Sequence, residues 1–242
     1  MNKTYDIVSS DALLIADIQN DFLPGGALPI EKSDEIISVL NEFARRFQDA
    51  KAYVFASKDW HPPNHCSFKQ QGGPWPPHCI QETKGAKFSP LLKLPQDVVV
   101  VFKATDPLRE SYSVFDGTDF AAELKERDIA RLFVGGLATD YCVLNTVLDA
   151  RVLGFQTVVL IDASRGIDVE PGDVDRAVES MLKAGAMMAT TTDFPESVDT
   201  LPVGEAEVDA LEEKPTARAI VKKKARMRSR GSSKRIATER KG

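Results

Sequence analysis

Cysteine and histidine are scarce in this 242-residue chain, with three of each. Cys66, Cys79 and Cys142 are too few, and odd in number, for a disulfide framework. No window of about 18 consecutive apolar residues occurs, which argues against a membrane-spanning helix. The opening residues 1–6 run straight into a strand-like stretch with no apolar signal region, so a cytoplasmic location is expected. No internal repeat is visible. What remains is ordinary for a globular protein: 43% hydrophobic and 28% charged residues, in a chain long enough for one sizeable core.

The net charge of -5 conceals an imbalance. Residues 201–242 carry 12 basic and 6 acidic side chains, leaving 19 and 30 for residues 1–200. The composition therefore predicts a domain over 1–200 and a charged, disordered extension over 201–242, with a short helix near 205–213. The extension has no aromatic residue for base stacking, so nucleic acid is not the expected partner, although the basic run from Lys222 to Arg230 leaves that possibility open.

Short apolar runs at 12–16, 52–56, 98–102, 131–135, 157–161 and 186–190 are continuous rather than alternating. That suits strands buried on both faces. Between them, 33–48, 118–127, 140–153 and 173–184 repeat apolar residues near the helical period. Ser33 is a candidate N-cap for the first, and Thr139 or Asp140 for the third. Gly154 and Gly185 stand where helices should stop. Alternating strands and helices predict an α/β fold, a doubly wound, mainly parallel six-stranded sheet with helices on both faces. Asp17, Asp59, Lys103 and Ala138 follow apolar runs, so they should meet at the carboxyl edge of that sheet.

All three histidines, His61, His65 and His78, fall in two nearby proline-rich segments. With Asp59, they offer a carboxylate and imidazoles suited to one divalent ion, Zn²⁺ first, with Mn²⁺ or Fe²⁺ as alternatives. Polar loop histidines without metal are the other reading, and Cys66 and Cys79 are rival soft ligands. Cys142 follows Gly135-Gly136 at an expected helix start. Free N–H groups there would lower its pKa and make the thiolate a nucleophile, unless it is simply a buried structural cysteine. Asp17 is the available base and Lys103 a cation that would favour both ionised forms.

In combination these segments resemble the nicotinamidase/pyrazinamidase family of the isochorismatase-like cysteine hydrolases. The likeness rests on residues 17–22 with 24–28, 57–62, 64–68, 75–79, 111–113, 136–143 and 162–166, and spans about 10–195. Val114 departs from the family's usual small residue. The resemblance implies a triad of Asp17, Lys103 and Cys142, with an oxyanion hole from the N–H groups of Ala138 and Cys142. It also implies a cis peptide between Leu137 and Ala138. Phe22, Trp75 and Tyr112 would line the pocket. Asp59, His61 and His78 would hold the metal, joined by His65, which ligates in some members and stands behind the ligands in others. The implied activity is hydrolysis of nicotinamide to nicotinate and ammonia through a Cys142 thioester, with pyrazinamide as a further substrate, in NAD salvage. A homo-oligomer is compatible. The alternatives are an amidase for another small amide and a non-catalytic binding protein that uses the basic tail.

Overall fold

The computed structural model describes residues 4–195; the extension over 201–242 and its expected helix lie outside the described residues. Six strands form one sheet: β1 (Asp11–Ala16), β2 (Tyr53–Asp59), β3 (Val99–Lys103), β4 (Arg131–Leu137), β5 (Gln156–Arg165) and β6 (Met187–Ala189). Their order is β3-β2-β1-β4-β5-β6, and every pairing is parallel. The chain thus winds outward from β1 in one direction, then from β4 in the other, as the alternating sequence pattern predicts.

The helices are α1 (Ile36–Asp49), α2 (Phe120–Glu126), α3 (Leu144–Val152) and α4 (Asp173–Lys183). Strand side chains alternate between faces. On one face, Ala12, Leu14, Ala16, Leu132 and Val134 pack with Phe120 and Leu124 of α2, Val147 and Ala150 of α3, and Met181 of α4. On the other, α1 lies over β1, β4 and β5, with Phe47 meeting Phe133 edge-to-face at 5.1 Å. Truncating either ring to alanine would cost about 3–5 kcal/mol. Ile36, Ile37, Leu40, Phe43, Ala44 and Phe47 form the buried stripe of α1, at the spacing read from the sequence. No helix among the described residues is long and apolar enough to cross a membrane.

The caps differ from expectation. The Ser33 hydroxyl donates to the Phe22 carbonyl at 2.9 Å instead of capping α1, which starts three residues later. Asp140 does not cap either: its carboxylate accepts the N–H groups of Ile167 and Asp168 at 3.0 and 2.8 Å, tying down the loop after β5. Residues 139–143 form a single π-helical turn that precedes α3. Gly154 and Gly185, at φ +90° and +85°, do end α3 and α4.

Gly136 of β4 pairs with Ala16 at the end of β1. Its φ is +124°, and a Cβ there would lie 2.2 Å from the Ala16 carbonyl oxygen. Only glycine fits, and on the other side of β4 the ladder with β5 slips between Val134 and Gly136.

Candidate active site

The carboxyl ends of β1 to β4 converge, and each delivers one ionisable or backbone group. Asp17 follows β1 in left-handed conformation, φ +53°. Asp59 closes β2 and pairs in register with Lys103, which closes β3. After β4, the Leu137–Ala138 peptide is cis, and the following turn carries Cys142. All four side chains are buried.

Lys103 sits at the centre of this group. Its ammonium donates to Asp59 Oδ1 and lies 3.2 Å from Cys142 Sγ and 3.1 Å from Asp17 Oδ2. Asp17, Asp59 and Cys142 each present an atom within 4.8 Å of the others. Ser57 donates to Asp17 Oδ1 at 2.7 Å, whereas Oδ2 takes no directed hydrogen bond.

The protonation states follow from burial and neighbours. Burial pushes the Asp17 carboxyl up; Lys103 opposes this, Asp59 adds to it, and the pKa stands at about 6. Burial works against the Lys103 charge, but Asp17 and Asp59 outweigh it, so the ammonium persists well above the usual lysine range. Burial also raises the Cys142 thiol well above its ordinary value, despite the attraction of Lys103. The resting pair is thus a protonated thiol beside an ionisable carboxylate, not the spontaneously ionised thiolate that a helix start suggested.

A second group adjoins the first through Asp59. Burial would raise its carboxyl, yet the Lys103 charge beside it holds it below the ordinary range. Its Oδ1 faces Lys103, while Oδ2 lies 3.7 Å from His61 Nε2. Asp59, His61 and His78 bring ligand atoms within 4.8 Å of one another. Neither ring nitrogen of His61 has a hydrogen-bond partner, although the ring is buried. Burial pushes its pKa down to about 3, so the imidazole is neutral. His78 donates Nδ1–H to the Pro76 carbonyl at 2.8 Å, which leaves Nε2 with its lone pair. An unsatisfied, neutral His61 and a His78 whose Nδ1 is already bonded, beside an ionised carboxylate, fit a divalent metal ion.

His65, expected as a further ligand, is not grouped with them here. Its Nδ1 accepts from the Ser67 hydroxyl and N–H at 2.7 and 3.3 Å, and its Nε2 donates to the Arg109 carbonyl at 3.1 Å. Its ring packs against His61 at 4.2 Å. Cys79 is buried with its thiol raised well above normal by burial, and joins no ligand group among the described residues.

Of the three aromatics singled out in the sequence, Phe22 packs on the His78 ring at 5.5 Å. Trp75 and Tyr112 are joined by an indole-to-phenol hydrogen bond of 3.0 Å. Tyr141, given no role by the sequence, packs against both, at 5.1 and 5.3 Å. Phe68 stands edge-on to all three histidines. Gln19 was also missed. Its amide accepts from the Asp59 N–H at 2.8 Å and donates to the carbonyls of Asp59 and Ala86 at 2.7 and 3.0 Å. The signal was its place between Asp17 and Asp21, but only the fold shows what it holds.

Comparison with known proteins gives a consistent picture. Residues 11–193 match the isochorismatase domain model. The nicotinamidase of Escherichia coli (strain K12) is 39% identical over 207 residues, 77% of this chain and 97% of its own. The pyrazinamidase of Pyrococcus horikoshii, solved in complex with zinc, is 46% identical with a TM-score of 0.72, over 75% of this chain and 99% of its own. A structure from L. infantum in complex with nicotinate is 35% identical with a TM-score of 0.72, over 78% and 98%.

Proposed function

Since the chain belongs to the isochorismatase family, within its nicotinamidase branch, we propose that it is a nicotinamidase, hydrolysing nicotinamide to nicotinate and ammonia. The observation that carries this reading is the placement of Lys103 between the Asp17 carboxylate and the Cys142 sulfur.

Asp17, whose Oδ2 takes no directed hydrogen bond, accepts the Cys142 proton. The sulfur then adds to the carboxamide carbon, and charge moves to the carbonyl oxygen. The N–H groups of Ala138 and Cys142 receive that oxyanion; losing one such donor costs about 2.7–4 kcal/mol of barrier. Asp17 returns the proton to the departing nitrogen, ammonia leaves and a thioester remains. Asp17 then takes a proton from water, whose oxygen adds to the thioester carbon. The carbon–sulfur bond breaks, and Asp17 passes that proton to the departing sulfur to restore the thiol. The acid formed leaves as nicotinate after losing its proton to solvent. Throughout, Lys103 keeps its charge beside both the carboxylate and the sulfur, so neither ionised form is left unpaired in a dry site.

Phe22, Trp75 and Tyr112 orient the pyridine ring by stacking. Asp59, His61 and His78 hold the divalent ion, for which zinc suits the donor set. When bound, that ion supplies a Lewis-acidic anchor for the ring nitrogen. The nitrogen of pyrazinamide is placed alike, so that amide is a second substrate.

An ammonia-release assay on a small amide panel tests the assignment. Nicotinamide and pyrazinamide should release ammonia, and an N-carbamoyl compound should not; the reverse pattern would sink it. Cys142→Ala should remove at least about 10³-fold of turnover while metal content and folding persist. More than a few per cent of residual rate would exclude the thioester.

A further inference from the structure

We propose that Asp21 is a positioning residue for the metal-binding side of the site, acting through the backbone of Cys79. The claim rests on the reading of Asp59, His61 and His78 as metal ligands. Both histidines hang from this one residue. His78 precedes it in the chain, and the Cys79 carbonyl accepts the His61 N–H at 3.0 Å. Cys79 is buried and held at φ +46°, a conformation that a non-glycine side chain seldom adopts unaided. What fixes it is the Asp21 carboxylate, whose Oδ2 accepts the Cys79 N–H at 2.7 Å, 58 residues away in sequence.

The carboxylate is itself placed with care. Its Oδ1 accepts the Ala27 N–H at 3.3 Å, and the Asp21 N–H donates to the Gly85 carbonyl at 3.0 Å. A Cβ on Gly85 would lie 2.1 Å from Oδ2 and 2.3 Å from Oδ1, so Gly85 leaves the room that the carboxylate occupies. Asp21 thereby completes a pattern in which one short segment serves every part of the site. Asp17 faces the thiol, Gln19 clamps the peptide groups of Asp59, and Asp21 clamps the peptide from which both imidazoles are hung. Groups that orient ligands in this way typically govern affinity by 10–100-fold when removed.

Zinc alone, titrated into metal-free full-length protein against a chromophoric chelator, reads this directly. Asp21→Ala should bind zinc at least about tenfold more weakly. Asp21→Asn, which keeps an oxygen for the Cys79 N–H, should stay within about threefold of the parent. Gly85→Ala, which displaces the carboxylate without deleting it, should weaken zinc in the parent but have no further effect in the Asp21→Ala background. The alkylation rate of Cys142 in the metal-free proteins should stay within about twofold of the parent, since that side is held by other contacts. Unchanged zinc affinity in folded Asp21→Ala would overturn the proposal. So would an equal Gly85→Ala effect in both backgrounds, or a loss of Cys142 reactivity as large as the loss of zinc. Should Asp21→Ala not fold, Gly85→Ala alone decides. None of these readouts involves amide hydrolysis, so failure of the nicotinamidase reading would appear separately, as parent enzyme that releases no ammonia.

Discussion

On the strand-end side of the site, one cation compensates two carboxylates and a thiol, all within its reach. On the histidine side, His61 is buried with both nitrogens unpartnered and His78 retains a lone pair. In the first cluster each carboxylate has a built-in cation within reach. The second has unpartnered nitrogens instead, and its deficit has the shape of a cation. Asp59 belongs to both, with one oxygen toward each. The difference shows why a buried ionic group can persist without an external partner only when its counter-charge is built in.

Removing that counter-charge should give the largest effect. In Lys103→Met, Asp17 and Asp59 would be buried without a cation, at a cost of about 3–5 kcal/mol, read by urea unfolding. A loss below about 1 kcal/mol would mean that the cluster is not self-compensated. Stripping the metal should leave the strand-end cluster intact and act on the other side only. The Michaelis constant should rise about 10–100-fold with a smaller change in turnover, and an unchanged constant in verified metal-free enzyme would break the division. The mildest test is acid. Asp17, raised to about 6, is protonated below that pH and cannot take the thiol proton, whereas His61, near 3, does not titrate in the same window. Activity should therefore fall about tenfold per pH unit below about 6. An acid limb centred near 4 would assign the base elsewhere.

The inner strands were legible because both their faces are largely buried, which writes them as continuous apolar runs; the edge strands β3 and β6 keep the pattern though only partly buried. The strand ends were not legible. Strand β2 continues through Ser57, Lys58 and Asp59, which are polar yet buried. Lys58 is tolerated there with its ammonium 4.3 Å from the Phe88 ring centre, a contact no local pattern announces. Likewise β5 runs on through Asp162 to Arg165, where Asp162 accepts the N–H and hydroxyl of Thr191. The histidine cluster was visible as a cluster, but spacing could not say that Ser67 and the Arg109 carbonyl would claim His65. Nor could it separate Asp140 the helix cap from Asp140 the loop tie, since both uses require a short acidic side chain after a strand. Long-range partners decided each case. The same holds for Gln19 and Asp21, whose neighbours lie 40 and 58 residues away.

Gly136 carries no functional group, yet the carbonyl of Ala16 occupies the volume that any side chain there would need. Asp17 follows that carbonyl directly, and the turn bearing Cys142 begins three residues after the glycine. The reach between base and sulfur is thus gauged by a missing methyl group, and a substitution at this silent position would miscalibrate the reaction without touching any reacting atom.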